Sequence, residues 1–164
     1  MENLITDTVR KSLAELELDY CEEDGVFDFS IKEEHTNVDL RVFCIEEQEI
    51  LIAVATSRVF VPNDKIEEVC RWICDKNYKG NIGYYTIDTK DGEVSFRVSC
   101  PLDGGAINAE IAKVAIINAL KRIDDDYVEL LKLVYFDESQ NDSADGKLRR
   151  IAESLSDDQK KHFS

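Results

Sequence analysis

Cys70 and Cys74 stand one helical turn apart in EEVCRWICDKNYKG, residues 67–80, beside Trp72, the one tryptophan of the chain. Two thiols at such spacing suggest a soft metal or a redox pair. Structural zinc, however, takes about four ligands in a tetrahedral array, and redox dithiols use Cys-x-x-Cys at a helix start. Neither requirement is met, so both thiols read as small apolar members of a packed helical stripe. Cys44 and Cys100 fall on apolar strand faces, while Cys21 lies beside an acidic turn and is expected to be exposed.

The two histidines, His35 in KEEHTN and His162 near the C-terminus, have no partners at ligand spacing. A histidine-dependent triad or metalloprotease site therefore lacks its parts, and both imidazoles are expected in solvent. Acids at Glu22–Asp24, Glu33–Glu34 and Asp124–Asp126 could hold a hard cation, which wants oxygens from several positions of one loop. The nearest loop, NDSADGKLRRIAE, has Asn141, Ser143, Asp145 and Gly146 in place but Ala152 where a bidentate Glu belongs. These acids read as solvated faces and helix caps. Gly104-Gly105 precedes a helix as phosphate loops do, without a following Lys-Ser/Thr or a third glycine. Gly-x-Ser-x-Gly is absent too. With no catalytic set, no metal ligands and no cofactor motif, the expectation is a protein that is not an enzyme.

The elements that must position these residues follow from hydrophobic period. Residues 5–18 repeat Ile5, Val9, Leu13 and Leu16 at helical spacing, with Thr6 or Asp7 as cap. VFDFSI alternates Phe27, Phe29 and Ile31 against Asp28 and Ser30, as a half-buried strand does. NVDLRVFCI sends Val38, Leu40, Val42 and Cys44 one way; EILIAVATS is apolar on both faces, and residues 46–49 join the two as a hairpin. Pro62 ends the extended run, Asn63 or Asp64 caps a helix, and Glu67 and Glu68 lie in its favourable first turn. Its stripe is Ile66, Val69, Cys70, Ile73, Cys74 and Asn77, with Trp72 on the border. After Gly80 come two strands around Asp91-Gly92, a hairpin signal because both turn residues favour positive φ. INAEIAKVAIINALKRI and DDYVELLKLVYF then read as helical segments. From Asp137 the chain is polar, with Leu148, Ile151 and Leu155 in a short amphipathic piece.

This order, α-β-β-β-α-β-β-α, predicts an α+β domain over residues 1–136, about five antiparallel strands with helices on one face, and a tail over 137–164. At 164 residues the chain is one domain long and can bury a core without a staple. A net charge of −15 repels polyanions and removes the counterion-release term, so nucleic acid is not an expected partner. No run approaches the ~18 apolar residues of a membrane span. The N-terminal MENLITDTVRKSLAELELDY is too charged for a signal peptide, and five irregularly spaced cysteines suit a reducing, cytoplasmic setting.

If the strands pair as read, Arg41, Tyr84, Thr86, Ser95 and Arg97 share one surface, an acceptor for a carboxylate or a peptide. The bland alternative pairs these arginines with Asp39 and Asp88 across strands, at ~0.2–1 kcal/mol each. Trp72 and the broadly apolar last helix offer another contact surface. Candidate partner contacts are thus Trp72, Arg41, Tyr84 and Arg97.

The stretch from Val59 to about Tyr135 resembles a YbjN-type domain, of the bacterial sensory transduction regulators. The resemblance rests on Pro62 opening a helix, Asn77 at its end and the strand Gly83-Tyr84-Tyr85-Thr86-Ile87-Asp88. It rests also on the turn Asp91-Gly92-Glu93-Val94, on Arg97 in the returning strand and on a helix from near Asn108. It implies a fold similar to type III secretion chaperones, no catalytic residues, a homodimer and a polypeptide partner. From the residues themselves, the apolar stretch 107–123 supports an alternative, a sensor holding a metabolite between sheet and helix.

Overall fold

The computed structural model describes residues 4–102 and 108–136. Helix α1 (Leu4–Glu15) is followed by strands β1 (Cys21–Glu23), β2 (Val26–Lys32), β3 (Asn37–Ile45) and β4 (Ile50–Phe60). Helix α2 (Ile66–Lys79), strands β5 (Tyr84–Ile87) and β6 (Glu93–Pro101), and helix α3 (Ala109–Tyr135) complete it. The strands form one antiparallel sheet in the order β1-β2-β3-β4-β6-β5. The fold is α+β, with a sixth strand beyond the five expected. That strand, Cys-Glu-Glu, is three exposed residues without alternation, and its charge suits a sheet edge.

The alternation of each strand decides which face the helices cover. Val38, Leu40 and Val42 of β3, Leu51, Ala53 and Ala55 of β4, and Val94, Phe96 and Val98 of β6 are buried. Against them α3 sets Ala112, Ala115, Ile116, Ala119, Leu120 and Ile123, and the small residues let helix and sheet approach closely. The two helical segments of the sequence are one helix of 27 residues, about 40 Å long. The Asn108 side chain caps it, accepting the Ile111 N–H at 2.9 Å.

Other caps differ from expectation. Helix α1 begins at Leu4, and the carboxylate of Glu46, in the β3–β4 link, accepts the N–H groups of Ile5 and Thr6 at 3.2 and 2.9 Å. Neither Thr6 nor Asp7 caps it. A 3-10 turn at Asn63–Lys65 precedes α2, and neither Asn63 nor Asp64 caps the helix. The buried residues of α2 are Val69 and Ile73, with Trp72, Lys76 and Asn77 half-buried, whereas Cys74 is exposed. The packed stripe is therefore rotated away from Cys74, because acids of α3 draw Lys76 inward. The tail from residue 137, with Leu148, Ile151, Leu155 and His162, and Gly104-Gly105 lie outside the described residues.

Candidate functional site

Strand β4 is apolar on both faces, yet among the described residues only one face carries helices. Leu51, Ala53, Ala55 and Val59 are covered, while Ile50, Ile52 and Val54 are half-buried on the other side. There the antiparallel register draws a row across five strands, Asp28, Arg41, Val54, Arg97 and Tyr84. Ser30, Asp39, Thr56, Ser95 and Thr86 form the next row, and Val26, Phe43, Ile52 and Ser99 the row on the other side. Arg41, Tyr84, Thr86, Ser95 and Arg97 thus share one surface, as the alternation requires. This open face encloses a concavity of about 950 Å³ whose lining includes Arg41, Phe43, Val54, Thr56, Ser95 and Arg97.

On this face Asp28, Arg41, Asp39 and Arg58 find partners among the described residues, while Arg97 Nε does not. Arg41 Nε donates to Asp28 Oδ1 at 2.6 Å, the residue directly opposite, rather than to Asp39. Asp39 instead accepts from Arg58 at 2.5 and 2.9 Å and from Ser30 Oγ at 2.5 Å. Asp88 turns into its own loop, accepting the Lys90 N–H at 2.9 Å. Arg97 therefore gains neither acid expected as its partner. Its buried Nε has no hydrogen-bond partner among the described residues, and a buried donor left unmade costs about 1–3 kcal/mol. Thr56 and Ser95 hydroxyls lie 3.2 Å apart beside it. Such a face offers donors for carbonyl or carboxylate oxygens next to apolar surface for side chains.

Trp72 lies elsewhere, on the helix-covered side. Its indole N–H donates to Glu129 Oε1 at 2.8 Å, and its ring sits 5.0 Å from that of Tyr85. Lys76, 5.3 Å from the same indole, donates to Asp126 and Glu129 at 2.7 Å each. Burial opposes the Lys76 charge, but these two hydrogen bonds prevail and its pKa is raised. The Tyr85 hydroxyl lies 2.8 Å from the Arg122 carbonyl and 2.9 Å from Asp126 Oδ2, and burial followed by the Asp126 charge pushes its pKa up. Asn77 fastens the strand end, accepting the Tyr85 N–H at 2.7 Å and donating to its carbonyl at 3.1 Å. The structure thus groups Arg41, Tyr84 and Arg97 and sets Trp72 apart, in the joint between α2 and α3.

Two acids expected on solvated faces are interior ones. Asp124 and Asp126 are 5% and 8% exposed. Asp124 accepts from the backbone N–H groups of His35 and Thr36 at 2.8 and 3.1 Å, and lies 3.0 Å from His35 Nδ1. That hydrogen bond raises the His35 pKa. Burial pushes Cys44 up to about 12 and raises Cys100, so neither is a thiolate near neutrality. Among the described residues no three metal-ligating side chains gather, and no helix is long and apolar enough to cross a membrane. The sequence clue to the open face was the double-sided apolarity of β4. The contacts that draw Asp124 and Asp126 inward, to His35 and Tyr85, span 89 and 41 residues, and only the Arg122–Asp126 pair on α3 itself is at a spacing visible in the sequence.

Solved structures share this architecture. YbjN from E. coli aligns with a TM-score of 0.51 at 14% identity, over 77% of this chain and 87% of that one. The HopA1–SchA chaperone–effector complex contains a chain that aligns at 0.55 and 18% identity, over 75% and 93% of the two chains. In the ExsC–ExsE complex the values are 0.55 and 15%, over 74% and 90%. The fold is that of type III secretion chaperones. No curated protein matches the sequence. The family model of the bacterial sensory transduction regulators matches residues 6–132, across helices and sheet alike, and the chain belongs to this family, YbjN.

Proposed function

We propose that this chain is a cytoplasmic, non-enzymatic regulatory module that works as a homodimer and holds a segment of a partner polypeptide on the open face of its sheet. The observation that carries this reading is that face itself, where, among the described residues, Phe43, Ile52 and Val54 are left without a covering helix and the buried Nε of Arg97 has no acceptor. An extended segment would set apolar side chains on the Phe43 row and oxygens toward Arg97. Relatives of the same fold solved as chaperone–effector complexes support a polypeptide as occupant.

The test is an array of twelve-residue peptides with alternating apolar positions, probed with the labelled full-length protein. Wild type should retain a defined subset, Val54→Arg should lower that signal at least about tenfold, and Lys79→Glu, on exposed α2, should leave it unchanged. If wild type retains no peptide, or Val54→Arg retains the same set, the reading fails. The metabolite-sensor alternative has a groove of about 270 Å³ between β6 and α3 in its favour. A saturating ligand would add about 2.7 kcal/mol at a hundred times its dissociation constant, so a thermal-shift screen without a stabiliser removes it.

A further inference from the structure

We infer that the stretch around Leu148, Ile151 and Leu155 docks, within its own chain, on the exposed apolar stripe of α3. In the first half of that helix Ile111, Val114 and Ile117 are 41%, 53% and 37% exposed, three residues apart on one face. Ile82, 53% exposed, stands across the groove, whose floor includes Val98 and Cys100 of β6. Ile82, Ile111 and Val114 around this groove, with Ile117 one turn further along α3, form the kind of patch that soluble proteins cover. Solvated helix faces carry charge instead, as this same stripe does further on with Lys121, Asp125 and Lys132.

Length and charge select the occupant. The chain continues from Phe136 to Ser164, and KLRRIAESL sets Leu148, Ile151, Ala152 and Leu155 at the i, i+3, i+4, i+7 spacing of an apolar helical face. From Phe136 back to Val114 is about 33 Å along α3 at 1.5 Å per residue. Residues 137–147, extended, span about 36 Å at ~3.3 Å each, enough to bring Leu148 to that end. On the way, Asp137, Glu138, Asp142 and Asp145 pass Lys132 and Lys121 of the exposed stripe. Lys147, Arg149 and Arg150 arrive beside Glu110, which is 78% exposed, and Glu15, which pairs with Lys113. Acid meets base at Lys132 and Lys121, and Asp125 between them is a like charge on that path.

The test uses the full-length protein with a benzophenone amino acid at position 114, a solvent-exposed site that tolerates it, prepared as a mixture of light and heavy isotopes. Irradiated at low concentration, it should yield links between position 114 and residues 148–155 of the same isotope. In a second sample, Ile151→Glu should reduce that product at least about fivefold while circular dichroism is unchanged. Links joining light to heavy chains would assign the stripe to a second copy and overturn the inference. So would the absence of links to 148–155, or a yield indifferent to Ile151→Glu.

Discussion

Asp124 of α3 grips the β2–β3 turn through two backbone N–H groups and the His35 imidazole, so a single carboxylate ties a hairpin to a helix 89 residues away. The imidazole is 38% exposed and also feels Glu34 and Asp125. Because folding raises the His35 pKa, its stabilisation is full below the unfolded value of about 6.5 and fades as pH rises through the folded one. We expect the urea midpoint of wild type to fall between pH 6 and pH 8 by an amount that His35→Gln abolishes. Solvent screening limits that difference to about 0.5 kcal/mol. Lys76 is the stronger case, since its side chain and that of Asp126 are 17% and 11% exposed. Lys76→Met leaves Asp126 with Tyr85 and Arg122 alone and should cost about 2 kcal/mol in urea unfolding. In the sequence Lys76 was one charge among many. Only the approach of α3, 50 residues away, gives it an interior role.

Element order was legible because alternation and helical period are local, and the structure follows both in β2, β3, β6 and α1. What was not legible depended on partners distant in the chain. β1 is a strand because β2 pairs with it through Asp24-Gly25, both at positive φ (48° and 76°), the two-residue turn that Asp-Gly favours. At Asp91-Gly92 the same dipeptide does something else, for only Gly92 has positive φ, 80°, and the turn runs from Asp88 to Gly92. There the glycine lets the chain approach Val61, whose N–H donates to the Gly92 carbonyl at 2.9 Å. An added Cβ would meet the Val61 carbonyl oxygen at 2.1 Å, against 3.3 Å to Cys44 O at Gly25. Gly25→Ala should therefore cost about 1 kcal/mol and Gly92→Ala about 3 kcal/mol, read from urea midpoints. Equal costs would mean that backbone conformation alone, and not the approach to Val61, requires glycine at 92.

At the scale of the molecule, net charge and apolar surface pull in opposite directions. Each chain carries −15, so two copies repel, and a homodimer must gain from apolar burial more than it loses to that repulsion. Salt screens the repulsion and leaves the burial intact, since the Debye length falls from about 10 Å at 0.1 M to about 3 Å at 1 M. Light scattering should thus report a mass near twice 18.7 kDa, with the dimer persisting to lower protein concentration as salt is raised. The opposite salt trend would mean that ion pairs between copies hold the dimer. Trp72 tests where the interface lies. Its N–H serves Glu129 and its ring faces Tyr85 and Lys76, so it belongs to the α2–α3 joint of its own chain. Trp72→Ala should lower the urea midpoint, by about 2 kcal/mol for a half-buried indole, and leave the scattering mass unchanged. A mass that falls while the fold persists would move the interface onto α2 and show that the indole works on both sides at once.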